Sequence, residues 1–380
     1  MNNSDIKSDN IKAVQSYFLD HDTATRSILA KELHLSKMTV TNIVNGLLKN
    51  GFIEEIAQTP ASGKGRPASV LQKRNVSPRL INLYLGLGSF KISYLDFALK
   101  SFSDTVIPTQ GKIAKDLVSE IDAEINKLAR EHLNEQIVGI AVGTESDFDE
   151  KDLINTETSL GIKDFCILQH LKNTYGLPLS VSSSLECLAL LENKLGNLKD
   201  TKEALILQFG SHIKSVIIHE RKILKCNRRE EARFGHISID YNGLSCECGN
   251  RGCVEAYASA SAIEKKLRDI TKLKLDFRGF CELQGKKNDS RIDWALKDMI
   301  DKLSVALIAY SNLLHPEIIV IAGEAFYLPD RYLARLQKTL KEKVVSSNQE
   351  EIKIIKSHFK NQGIEIGSAL PCIENYVINN

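Results

Sequence analysis

Three cysteines fall within eight residues, Cys246, Cys248 and Cys253, and His236 stands ten residues before the first. Three thiolates and one imidazole complete a tetrahedral zinc shell. Four protein ligands leave no open position for substrate, so a Zn2+ held there is structural. Gly249 and Gly252 lie between the cysteines, and glycine permits the tight turns that would gather the sulfurs. The C-x-C spacing is not that of a zinc-finger knuckle, so spacing alone names no metal fold. The alternative is three unrelated reduced thiols. The other five cysteines (Cys166, Cys187, Cys226, Cys281, Cys372) are isolated in the chain, which suits core packing.

A second constellation sits near the N-terminus. Ser36, Lys37, Thr39, Thr41 and Asn42 are small or polar groups at the start of a helical pattern. At the leading end of a recognition helix, Lys37 and the hydroxyls suit phosphates and Asn42 suits a base edge. The bland alternative is a helical interaction module with a solvated polar face. Further on, residues 59–79 hold Lys64, Arg66, Lys73, Arg74 and Arg79 and no acid. Within them, Gly63-Lys64-Gly65-Arg66-Pro67 could track a DNA backbone or enter a minor groove, or could serve only as a soluble linker.

The elements that must position these groups follow from periodicity. Ile11, Val14, Tyr17 and Phe18 recur at helical spacing. A second helix starts from Thr25 as N-cap and runs through Ile28, Leu29 and Leu33. After a turn at His34-Leu35, Ser36 caps a third helix that buries Val40, Ile43, Val44, Leu47 and Leu48. Gly51 suits its C-terminus, and residues 52–56 alternate like a strand. Three helices and a hairpin make a winged helix-turn-helix over residues 1–58, followed by a basic linker or wing at 59–79. From Leu80 onward, short β-rich runs alternate with amphipathic stretches such as 115–133 and 292–314, which argues for α/β layers. A chain of 380 residues exceeds one core.

Charge is divided unequally. Residues 1–80 carry 11 basic and 7 acidic side chains, the remainder 39 and 41. The positive part is therefore the small N-terminal one. With 43% apolar and 26% charged residues, 22 Gly and 8 Pro, collagen-like and low-complexity classes are excluded. No apolar run approaches a membrane span, and the first ten residues have no signal-peptide core. The expectation is a cytoplasmic protein with reduced thiols.

The run GHISIDYNGLSCECGNRGCVEAYAS at 235–259 closely resembles the signature of the ROK family of repressors, open reading frames and sugar kinases. KELHLSKMTVTNIVNGLLKNGFIEE followed by GKGRPASVL resembles the head and linker of ROK repressors, and HPEIIVIAGEA and IEIGSAL resemble later family segments. The resemblance implies a two-lobed, actin-like, sugar-kinase ATPase fold behind the head. It places the first lobe at 80–200, completed by a C-terminal helix at 364–380, and a second lobe with the zinc site at 201–363.

The departures from the family pattern concern chemistry. The resemblance implies an Asp in the first phosphate turn, where this chain has Gly86. The family's second phosphate loop aligns with Phe209–Ser215, where Gly210 is kept and His212 and Lys214 intrude. An Asn-Asp pair bearing the general base is replaced by Ser183 and Ser184, and Glu186 is the one nearby carboxylate. Of the implied sugar-binding residues, Glu255 and the ligand His236 are present, but a Glu is replaced by Arg233. Two acids lost and one Arg gained shift the sugar site toward anions, such as a sugar phosphate or sugar acid. Alternatively, Arg233 is a structural residue paired with Glu255 or another acid and the pocket is closed or without ligand, or the site takes a neutral sugar.

The expected function is thus a ligand-responsive, DNA-binding transcriptional regulator of carbohydrate genes without catalytic activity. Its expected partners are a double-stranded operator, a carbohydrate or anionic sugar derivative as effector, and its own copies in a homodimer or dimer of dimers. The alternatives are an ATP-dependent sugar kinase with an appended head and a zinc-dependent interaction scaffold.

Overall fold

The computed structural model describes residues 10–11, 13–15, 17–18, 21, 23–49, 53–59, 68–73, 78–132, 135–145, 160, 162, 166–224, 232–345, 352–359 and 363–379. Two compact units divide the chain, one of residues 1–182 with 368–380, the other of residues 183–367. No helix among the described residues is long and apolar enough to cross a membrane.

The N-terminal head has its own core. Strands β1 (Thr23–Thr25), β2 (Ile53–Thr59) and β3 (Ala68–Lys73) pair antiparallel in the order β1-β3-β2. Helices α1 (Arg26–Glu32) and α2 (Lys37–Lys49) accompany helical residues at 10–11, 13–15 and 17–18. Thr25 caps α1 by accepting the Ile28 N–H at 3.3 Å. His34 takes a left-handed φ of 54° in the turn, and the Ser36 hydroxyl opens α2 by accepting the Thr39 N–H at 3.1 Å. Val14, Phe18, Leu29, Val40, Val44, Leu47, Ile53 and Leu71 share one buried cluster. Since Leu71 is completely buried there, residues 68–73 are a wing strand that closes the core. Of the linker or wing read at 59–79, residues 68–73 are thus wing and not linker. Gly51 lies outside the described residues.

The rest of the first unit is a five-stranded sheet. Strands β4 (Arg79–Leu85), β5 (Ser89–Leu95) and β6 (Ser101–Pro108) form an antiparallel meander. After α3 (Ala114–Glu131), β7 (Ile137–Thr144) returns parallel to β4; α4 (Ile167–Tyr175) and β8 (Leu179–Ser183) follow. The strand order is β6-β5-β4-β7-β8. Leu117, Ile121, Ile125 and Leu128 recur on one face of α3 and are buried, as 3.6-residue periodicity requires.

The second unit repeats the plan. Its elements are α5 (Ser184–Leu195), β9 (Ala204–Phe209), β10 (Ile213–His219), β11 (Lys222–Ile223), α6 (Glu255–Ala258), α7 (Ala260–Thr271), α8 (Phe277–Lys287), α9 (Ser290–Leu314), β12 (Ile318–Gly323), α10 (Asp330–Lys343) and β13 (Lys353–Lys356). The order β11-β10-β9-β12-β13 again joins an antiparallel meander to two parallel strands. The two α/β units are thus built on one topology, the duplication that an actin-like fold demands.

The boundary between units falls at 182/183 rather than 200/201. Leu185, Leu188 and Ala189 of α5 are buried with Ala204, Ile206, Val216 and Val320 of the second sheet, so the burial of its apolar face assigns α5 to that unit. Likewise residues 364–367 belong to the second unit and 368–380 to the first.

Candidate functional site

The cysteine loop leaves the 3-10 turn Phe234–His236 and returns into α6. Its two limbs are paired: Ile239 N–H donates to Gly252 O at 2.8 Å and Val254 N–H to Ile237 O at 2.9 Å. At its tip, Cys246 N–H reaches Asn250 O at 2.9 Å, and Gly249 N–H reaches Cys246 O at 3.0 Å. Gly249 and Gly252 have left-handed φ of 88° and 71°, which serve the tight turns anticipated from sequence. Gly252 also sits against the Asp240 carbonyl, which an added Cβ would overlap.

This fold gathers the four anticipated ligands. His236 Nδ1 lies 3.6 Å from Cys246 Sγ, and Cys248 Sγ lies 3.7 Å from Cys253 Sγ. All four donor atoms lie within 4.8 Å of one another. Tetrahedral bonds of about 2.3 Å to sulfur and about 2.0–2.1 Å to nitrogen separate ligand atoms by about 3.5–3.8 Å. Donor chemistry and spacing therefore both fit a structural zinc held by His236, Cys246, Cys248 and Cys253. Without a cation the sulfurs differ. The Asn250 backbone N–H beside Cys248 lowers that thiol, while burial pushes Cys253 up to about 12. A bound cation would staple the loop and displace the thiol protons.

Glu255 follows this loop at the start of α6 and is buried. Its carboxylate accepts the Ile213 N–H at 2.9 Å and lies 3.4 Å from His212 Nδ1. Gly235 makes room for it, because an added Cβ would come within 3.0 Å of Glu255 Oε2. Arg233 is exposed two residues earlier. Glu255 is thus engaged by β10 and His212, the latter a neighbour that the sequence reading did not assign to it.

Ser183 and Ser184 stand at the β8–α5 junction. The Ser183 hydroxyl accepts the Glu186 N–H at 3.2 Å, and Glu186 Oε2 accepts the Ser183 N–H at 2.7 Å. This reciprocal capping box fixes the start of the helix. Ser184 and Glu186 are both buried. Glu186 is therefore engaged in the cap of α5.

In the first unit, the β4–β5 turn holds Gly86, Leu87 and Gly88. Its Leu87 N–H donates to Glu145 Oε2 at 3.1 Å, and the Tyr84 hydroxyl lies 3.3 Å from Glu145 Oε1. A carboxylate of the chain itself thus occupies a backbone donor of this turn. Sequence reading missed Glu145, since only the parallel β4–β7 register, Leu85 beside Thr144, brings it to the turn.

On the head, Lys37, Thr41 and Asn42 are exposed along α2. Ser36 and Thr39 are joined side chain to side chain at 2.8 Å in the cap. The Thr41 hydroxyl donates to Lys37 O at 2.8 Å. Arg26 ties the head together, with Nη1 2.9 Å from Glu55 of the wing and Nη2 3.4 Å from Asn45 of α2. Lys64 and Arg66 lie outside the described residues.

A winged head, a duplicated α/β body and a loop that gathers one histidine with three cysteines define a class, and comparison with known proteins agrees. The ROK family profile matches residues 83–373, so the chain belongs to the ROK family. It is 22% identical over 381 residues to the xylose repressor of Bacillus subtilis (strain 168), covering 98% of this chain and 97% of that one. Its fold matches the crystal structure of a ROK family transcriptional regulator, a homolog of the E. coli MLC protein. That match has a TM-score of 0.80 at 21% identity and covers 98% of this chain and 97% of the other. A ROK hexokinase from Thermus thermophilus matches with a TM-score of 0.65 at 20% identity, covering 77% of this chain and 97% of the enzyme.

Proposed function

We propose that this chain is a sequence-specific, DNA-binding transcriptional regulator that represses carbohydrate-metabolism genes and responds to a carbohydrate-type effector held by its body. One observation carries the reading: a winged helix-turn-helix head precedes a ROK body in which the family resemblance puts Ser184 at the general-base position, beside a carboxylate engaged in the Ser183 cap. A serine without its own base cannot take a proton at neutral pH, and losing a general base costs about 10²–10⁴ in rate. Gly86 supplies no carboxylate to a metal–phosphate site, and Glu145 repels phosphate from the adjacent N–H. The body is therefore read as a sensor without kinase turnover.

The head would bind an operator through Lys37, Thr41 and Asn42, with Ser36 and Thr39 shaping the helix start. Lys64 and Arg66 would follow the DNA backbone. Zinc on His236, Cys246, Cys248 and Cys253 would hold the loop that leads into Glu255. His212, 3.4 Å from that carboxylate, and the exposed Arg233 two residues before Gly235 favour an anionic sugar derivative over a neutral hexose. Ser183 and Ser184 would line the same effector site. The protein would act in the cytoplasm as a homodimer or a dimer of dimers, presenting paired heads to a two-fold operator. The effector changes operator affinity only if it binds the two states of the body unequally.

Fluorescence anisotropy with duplexes from the chain's own promoter region, alongside calorimetry with glucose, glucose 6-phosphate and a sugar acid, tests this reading. It predicts salt-sensitive, sequence-dependent binding that one of these ligands weakens. Equal affinity for all duplexes would refute the operator assignment, and tight glucose binding without preference for the anions would refute the effector class.

A further inference from the structure

We propose that Met38 reads the methyl group of a thymine in the major groove, making it a specificity-determining residue of the head. The inference rests on the head binding DNA. Met38 is the second residue of α2 and is 76% exposed. At about 100° per residue, the core residues Val40, Ile43, Val44 and Leu47 occupy one arc of the helix, and all four are buried. Lys37, Met38, Thr41, Asn42 and Asn45 occupy the opposite arc, and all five are exposed. Met38 lies in the middle of that stripe and cannot turn back into the core.

Its chemistry restricts what it can meet. A thioether has no hydrogen to donate, so it gives nothing to a phosphate oxygen. Most of its stripe is polar, and the other side chains at the helix start, Ser36 and Thr39, are joined to each other. Met38 is the apolar side chain at the end of the helix that enters the groove first. Among the groups displayed by the major groove, the apolar one is the thymine C5-methyl. A flexible, polarizable side chain can cover it without a fixed geometry.

The test uses the zinc-loaded full chain. Duplexes are selected from a random library, and each thymine of the winning site is then replaced singly by deoxyuridine, which lacks only the methyl. One thymine per half-site should lose about fourfold in affinity, the worth of one buried methyl-sized group. Met38→Ala, a substitution at an exposed position, should bind the thymine duplex at least about fourfold more weakly and be indifferent to deoxyuridine there. Met38→Leu should keep most of the methyl dependence. Equal sensitivity of wild type and Met38→Ala at every thymine would overturn this inference while leaving the head a DNA-binding module. A selection that enriches no duplex would overturn the DNA-binding reading and this inference with it.

Discussion

Gly249 and Gly252 offer a test in which the same substitution meets two different surroundings. Both have left-handed φ, 88° and 71°. Alanine in that region costs about 1–2 kcal/mol, offset by about 0.4–1 kcal/mol from the less flexible unfolded chain. Around Gly249 nothing lies within 4 Å of an added Cβ, so Gly249→Ala should cost about 1 kcal/mol. At Gly252 the methyl would overlap the Asp240 carbonyl, and relief requires the loop limbs to part. That motion breaks the Ile239 N–H to Gly252 O bond of 2.8 Å and the Gly252 N–H to Leu244 O bond of 2.7 Å. At about 0.5–1.5 kcal/mol each, the total for Gly252→Ala is about 3 kcal/mol. The excess of about 2 kcal/mol falls on the loop that carries Cys253, so zinc affinity should drop about 30-fold relative to Gly249→Ala. The assay is zinc transfer to a competing chelator at fixed pH, with zinc per chain measured by atomic emission. Equal zinc retention by the two variants, or a larger loss for Gly249→Ala, would refute this account of the loop.

Other expectations concern the cap, the lost chemistry and the thiols. Ser183→Ala should cost about 1 kcal/mol as a lost N-cap. Glu186→Ala should cost about 1–2 kcal/mol, because it also strands the half-buried Ser183 N–H; thermal melts measure both, and operator affinity below the melting range should stay unchanged. Ser184→Asp should not create a kinase, since Gly86 and Glu145 still deny the phosphate its site; sugar-dependent ADP formation in a coupled assay would contradict this. Zinc affinity should fall on acidification, by about two to three powers of ten per pH unit below the thiol pKa values, because the cation must displace their protons. The sign follows from Cys253, whose burial raises its pKa to about 12 in the metal-free chain, and chelator competition between pH 6 and 8 measures it.

How much of this was legible in the sequence depended on whether the contact was local. The cluster of possible metal ligands was legible because Cys246, Cys248 and Cys253 lie in one loop and the donor chemistry is strict. Helix α2 of the head was legible because Val40, Val44 and Leu47 recur at helical spacing against polar Lys37, Thr41 and Asn42. The capping box at Ser183-Ser184-Leu185-Glu186, serine followed three residues later by glutamate, was not read from the sequence, where these residues were weighed only as replacements of a catalytic pair. Glu145 was not legible. It meets Leu87 across 58 residues, and only the pairing of β4 with β7 sets that register. The strand at 68–73 was obscured by the Gly- and Pro-rich run before it, and its place in the head is set by the burial of Leu71. Nor could periodicity assign α5 to a unit, since an amphipathic helix states which face it buries but not against which sheet.

The most direct test is to incubate the purified, zinc-loaded full chain with sheared genomic DNA of its source and to sequence the retained fragments, with and without a panel of sugars and sugar phosphates. The account predicts a small set of fragments that share a two-fold motif, lie beside carbohydrate genes and are released by one compound of the panel. Retention that follows fragment length alone, unchanged by any compound, would contradict it.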